Sequence, residues 1–98
     1  MGYALESGVM KIFKYPVPLS AKFTIEMPLG AKILSFQAQN DVMQLWAAVW
    51  EGASLEERKF RLYGTGHDLD MDEVQKFIDT VQLHNGDFVW HLFEVIGT

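Results

Sequence analysis

The segment Tyr63-Gly64-Thr65-Gly66-His67 has the residue types best suited to holding a ligand. Two glycines let the backbone approach a bound group closely and aim its N–H groups at one point, and an imidazole follows at once. That combination fits a small anion such as a nucleotide phosphate. No Gly-Lys-Ser or Gly-Lys-Thr follows, so the segment is not a Walker phosphate loop. The same residues also make an ordinary glycine-rich strand connection, with Tyr63 and His67 completing local packing.

Other constellations fall short of a reaction centre. Three imidazoles, His67, His84 and His91, are chemically adequate for a zinc ion with an open fourth position. On the last hairpin, however, His84 and His91 stand three ladder pairs apart, roughly 10 Å along the strands, which is too far for one ion. His91 lies beside Thr80 and is expected to be a half-buried, hydrogen-bonded imidazole. Asp68-x-Asp70-x-Asp72 has the opening spacing of an EF-hand loop. Its sixth position is Glu73 instead of Gly and its twelfth is Asp79 instead of Glu, so a solvated acidic turn is expected there. Ser20, Ser35 and Ser54 sit in no elbow or triad context. No catalytic residue, metal ligand or cofactor site is therefore nominated, and the chain is expected to act by binding rather than catalysis.

The elements that must position these groups are strands. In Lys22-Phe23-Thr24-Ile25-Glu26-Met27 polar and apolar residues alternate strictly, which puts Phe23, Ile25 and Met27 on one face. Lys11 to Val17 reads as an edge strand, because Pro16 and Pro18 cannot donate to a central ladder. Asn40-Asp41 tolerates positive φ and closes a hairpin between Lys32 to Gln39 and Val42 to Trp50, pairing Phe36 with Leu45 and Leu34 with Ala47. One face then holds Leu34, Phe36, Ala38, Met43, Leu45, Ala47 and Val49, a core face. The other holds Gln37, Gln39, Gln44, Trp46 and Trp50, amides around indoles, which suit a protein interface.

Arg58 to Tyr63 alternates again. Asp70 followed by Glu73 resembles a capping box, so Met71, Val74 and Phe77 could line one side of a one- or two-turn helix near 70–76, which would be marginal alone. Asn85-Gly86 is the strongest hairpin signal in the chain and sets Thr80 near His91, Gln82 near Val89 and Ile78 near Phe93. The expected fold is mainly β: a small antiparallel sandwich or partly closed barrel of about six strands, with at most one short helix.

Composition bounds the rest. The chain has 98 residues, no cysteine, and 8 Lys and Arg against 13 Asp and Glu, a net charge of -5. That is one domain, expected over 10–98, with residues 1–9 a loosely ordered leader, native or added upstream of a start at Met10. Without cysteine there are no disulfides or thiolate sites. The acidic balance argues against binding a nucleic-acid backbone, and no stretch approaches the ~20 apolar residues of a membrane-spanning helix.

Several short motifs occur in a distinctive order: Phe13-Lys14-Tyr15-Pro16, Met27-Pro28-x-Gly30-Ala31-Lys32-Ile33-Leu34-Ser35, Gln37-x-Gln39, Leu45-Trp46-Ala47, Tyr63 to His67, and Phe88-Val89-Trp90-His91-Leu92-Phe93-Glu94. Over about Lys11 to Glu94 the chain resembles a family of small uncharacterised proteins encoded by bacteriophages and prophages. It departs from that pattern at Asp68 to Lys76, which is longer and more acidic. The resemblance implies a phage or prophage origin and the cytoplasm of a bacterial host, and carries no activity. The expected function is that of an accessory protein working through protein–protein contacts as a homo-oligomer or with a phage or host partner. The alternative is capture of a small anionic ligand by Tyr63, Gly64, Thr65, Gly66 and His67, suited to counter-defence.

Overall fold

Period-two alternation runs through most of the chain, and in the computed structural model, which describes residues 8–97, it becomes seven strands rather than about six. They are β1 (Met10–Pro16), β2 (Lys22–Pro28), β3 (Lys32–Gln39), β4 (Val42–Trp50), β5 (Leu55–Gly64), β6 (Val74–Leu83) and β7 (Phe88–Gly97). Nearly all of the expected leader lies outside the described residues. Its last residue, Val9, accepts a backbone hydrogen bond from Glu51 at 3.0 Å.

All pairings are antiparallel. One sheet has the order β1-β4-β3 and the other β2-β5-β7-β6, and the two face each other as a sandwich that does not close into a barrel. The molecule is 46 × 33 × 15 Å, as thin as two stacked sheets require. Alternation chooses the inward side chains. Met27, Leu45, Ala47, Val49, Phe60 and Leu92 are fully buried, with Phe36, Met43, Leu62, Val81 and Leu83 beside them.

The two hairpin turns follow from their residue types. Asn40 and Asp41 take φ of 51° and 61°, and Gln39 pairs with Val42. At the second turn Asn85 and Gly86 take φ of 58° and 92°, and Asp87 N–H donates to the His84 carbonyl at 3.2 Å. The expected pairs Phe36–Leu45, Thr80–His91 and Gln82–Val89 all form.

Of three register shifts, one in β3 and two in β6, two change what parity alone implies. In β3 the register shifts between Ile33 and Ser35, so Ala47 pairs with Ile33 rather than with Leu34. Ile33 packs against the core, and Leu34 is 47% exposed. One extra residue on one strand reverses the facing of everything beyond it. Ala38, expected on the core face, lies near the hairpin tip and is exposed. In β6 the shift falls between Phe77 and Asp79, which removes the expected pairing of Ile78 with Phe93 and gives that partner to Phe77.

No helix forms near 70–76; turns and a bend there lead directly into β6. The capping groups are otherwise engaged. Asp70 Oδ1 accepts the N–H of Asp72 only two residues on, at 2.9 Å, which makes an Asx turn. Glu73 grips Arg61 with both oxygens, Nε–Oε1 at 2.8 Å and Nη2–Oε2 at 2.5 Å. Among the described residues the only helical element is a single 3-10 turn, His84–Gly86.

The Arg61–Glu73 pair fastens the acidic connection to the outer face of the larger sheet. Hydrogen bonding to Arg61 holds the Glu73 carboxyl below its ordinary value of 4.5. A carboxylate whose value is lowered by folding stabilises the fold above the ordinary range and loses that contribution as pH falls through the lowered value. Urea unfolding of wild type and Glu73→Gln should therefore differ most above about pH 4.5 and converge as the pH is lowered further. A difference that does not vary with pH would show that the ion pair contributes nothing.

Candidate functional site

Tyr63 to His67 lies where β5 ends, and its geometry is set by a tight turn. His67 N–H donates to the Gly64 carbonyl at 3.1 Å, and Gly64 N–H donates back to His67 Nδ1 at 3.1 Å. The imidazole consequently folds over Gly64. A Cβ at position 64 would stand 2.8 Å from His67 Cε1, so glycine is needed there for close approach, not for an unusual φ. Gly66, at φ of 90°, supplies the left-handed step. Two of the N–H groups that an anion would use are thus spent within the turn.

The neighbouring strands add what the spacing did not show. His91 of β7 hydrogen bonds at both nitrogens, Nε2 with the Thr65 hydroxyl and Nδ1 with the Thr80 hydroxyl, each at 2.8 Å. The expectation of a half-buried, hydrogen-bonded His91 beside Thr80 matches this arrangement. Tyr63 Oη accepts the N–H of Asp70 at 3.2 Å and is bonded to the amide of Gln75. The hollow bounded by Tyr63, Gly64, His67, Leu69, Phe77 and His91 has a volume of about 270 Å³. The structure brings all five nominated loop residues to one wall of it.

Replacing Gly64 by Ala must push the His67 ring away. The loss is that of one neutral hydrogen bond and its packing, about 1 kcal/mol. The His67 ring resonances should move toward those of a free imidazole while the strands keep their amide shifts. Unchanged His67 resonances would show that the ring does not cover Gly64.

The amide and indole face is the outer side of the three-stranded sheet. Register aligns Met10 with Trp50, Ile12 with Ala48, and Lys14 and Ser35 with Trp46. The two indoles are half-buried by these neighbours. Gln37 is exposed, and Gln39 accepts from Lys14 Nζ at 3.0 Å. Gln44 departs from the expected interface set, because it is buried between Pro16 and Gln37, with no partner for Oε1 among the described residues. The sequence reading missed three members of this face: Met10 and Ile12, which are 47% and 65% exposed, and Leu34, delivered by the bulge. Parity along β1 was the available signal for the first two. A shallow hollow of about 280 Å³ lies among Ile12, Leu34, Ser35, Gln37 and Trp46.

The other two histidines lie away from His91's bonding set in different ways. His67 sits edge-on to Trp90 at 6.3 Å, and His84 is at the hairpin tip with Nδ1 3.4 Å from Asp41 Oδ2. No helix among the described residues is long and apolar enough to cross a membrane.

Comparison with known proteins finds no curated protein and no solved structure that matches the chain. Residues 10–98, from the first residue of β1, match the family described as a domain of unknown function (DUF7352), and the chain belongs to that family.

Proposed function

We propose that the domain acts by protein–protein binding and that the outer face of β1-β4-β3 joins two copies of the chain. The observation that carries this reading is the group of apolar side chains Met10, Ile12, Leu34, Trp46 and Trp50 on a sheet face that no other element among the described residues covers. Five of the acids crowd into residues 68–79, and the outward positions of β1, β4 and β3 carry no carboxylate, their charges being Lys14, bonded to Gln39, and Lys32, aligned with Ala48. Three strands at roughly 4.8 Å spacing and some 25 Å long give about 400 Å² of sheet, so a weak dimer at the low end of stable interfaces is expected. The resemblance to small phage and prophage proteins supports an accessory role in the cytoplasm of a bacterial host.

Sedimentation equilibrium tests the reading. Wild type should show concentration-dependent mass with a Kd of roughly micromolar to millimolar, and Trp46→Ala/Trp50→Ala should remain a monomer while folded. Identical masses for the two proteins would exclude the face as the contact.

A second reading, capture of a nucleotide-like anion at Tyr63 to His67, is supported by the hollow beside His91. It relies on the N–H groups of Thr65 and Gly66, since those of Gly64 and His67 are engaged.

A further inference from the structure

At one end of the sandwich the larger sheet turns charged side chains inward. On β5 the row that buries Leu62 and Phe60 continues to Arg58 and Glu56, and on β7 the row through Leu92 continues to Glu94. Arg58 and Glu94 form a two-pronged pair, through Nε to Oε2 and Nη2 to Oε1, with side chains only 16% and 12% exposed. Arg58 Nη1 also donates to the Ala31 carbonyl at 2.8 Å. Three of the five guanidinium N–H donors are used, and the rest have no partner among the described residues.

Above this pair a cleft of about 410 Å³ opens between β3 and β6, the edge strands of the two sheets. Its volume lies in the range of small-molecule sites. Both bulges border it, Ile33 to Ser35 on one side and Phe77 to Asp79 on the other. Bulges break regular pairing and re-aim side chains, and they concentrate beside binding sites. Ile33 and Ile78 form apolar walls that run into the core. Lys32 and Lys76 stand at the mouth, and among the described residues neither ammonium has a hydrogen bond or ion pair. With Arg58 they make three cations against the two anions Glu94 and Asp79.

We propose that this cleft binds a small organic carboxylate, its head held by Lys32, Lys76 and the free N–H groups of Arg58, its apolar body lying between Ile33 and Ile78. A planar carboxylate matches the edge of a guanidinium, and ammonium groups on opposite strands close on it from two sides. Asp79 at the mouth selects a single negative charge over a dianion. The cleft meets the Trp46 face at Leu34 and Ser35 and the hollow beside His91 at Phe77, but its charged groups, Lys32, Arg58, Lys76, Asp79 and Glu94, line neither of those.

Amide chemical shifts of the full chain, titrated with benzoate, benzamide and inorganic phosphate, provide the test. Benzoate should give saturable shifts centred on residues 33–35 and 77–79, and benzamide and phosphate should bind at least tenfold more weakly. Lys32→Gln/Lys76→Gln, both at exposed positions, should fold normally and weaken benzoate at least tenfold. Trp46→Ala/Trp50→Ala should bind benzoate as wild type does, whatever its mass, which separates this site from the dimer face. Absence of saturable shifts, equal binding of benzamide, shifts confined to residues 64–67, or full affinity in the double lysine variant would each overturn the proposal.

Discussion

Phe60→Ala should cost about 3–5 kcal/mol of folding stability, the largest single-residue loss expected in this chain. Phe60 is fully buried in the middle strand region of the larger sheet, pairs with Phe23 of β2 and Glu94 of β7, and stacks on Phe23 with centroids 5.5 Å apart. The ring belongs to the same cluster as Phe36 and Leu45 of the opposing sheet, so its removal leaves a void that neither sheet can close without losing its own register. For a domain of this size the loss is a large part of a total of roughly 5–15 kcal/mol and lowers Tm by roughly 15–30 °C. Met71→Ala, at a position 85% exposed, should stay within about 0.5 kcal/mol. Thermal unfolding of the two variants side by side checks the contrast, and a loss below about 1 kcal/mol for Phe60→Ala would mean that the two sheets do not pack through this ring.

Removing Arg58 alone should be the second largest effect. Arg58→Met leaves the Glu94 carboxylate, 12% exposed, and the Ala31 carbonyl without their partner, and about 3 kcal/mol of stability is lost. Glu94→Leu leaves the guanidinium without its counter-charge and should cost a similar amount. The double variant Arg58→Met/Glu94→Leu should lie within about 1.5 kcal/mol of wild type, because the buried charges leave together and only the carbonyl bond of Ala31 is missed. The coupling energy from this cycle should therefore be large. Additive losses would show that the two groups are solvated independently. The bonding to Glu94 also raises the Arg58 value above its ordinary one, so the guanidinium stays charged throughout any accessible pH.

These two residues illustrate what was hard to read in advance. Phe60 lies in an alternating run and is legible as core from its neighbours Arg58 to Tyr63. Arg58 and Glu94 occupy the same inward rows, but a charged residue in phase with a core row normally marks the end of the buried stretch. Only the approach of β5 and β7, from residues 36 positions apart, shows that the two meet. Lys32 and Lys76, without a partner among the described residues, become one site only because β3 and β6 border the same cleft.

The candidate surfaces divide in the same way. Trp46, Trp50, Gln37 and Gln39 share a face because β4 and β3 pair through a two-residue turn, which local residue types decide. Leu34 joins them through the bulge in β3, and Gln44 is covered once β1 brings Pro16 alongside it. The expected helix near 70–76 rested on Asp70 and Glu73 acting together as caps. Arg61, twelve residues earlier than Glu73, takes that carboxylate and draws the segment against the sheet as a turn.

By itself, then, the sequence determined a mainly β domain, both hairpin turns and most of the inward-facing residues. Those features depend on dihedral preference and period-two burial, which act between neighbours. The two bulges, the loss of the short helix, the Arg58–Glu94 pair and the cleft above it were decided by the tertiary structure. Each depends on which strand edge or charge arrives from a distant part of the chain, and packing of one sheet on the other sets that arrival.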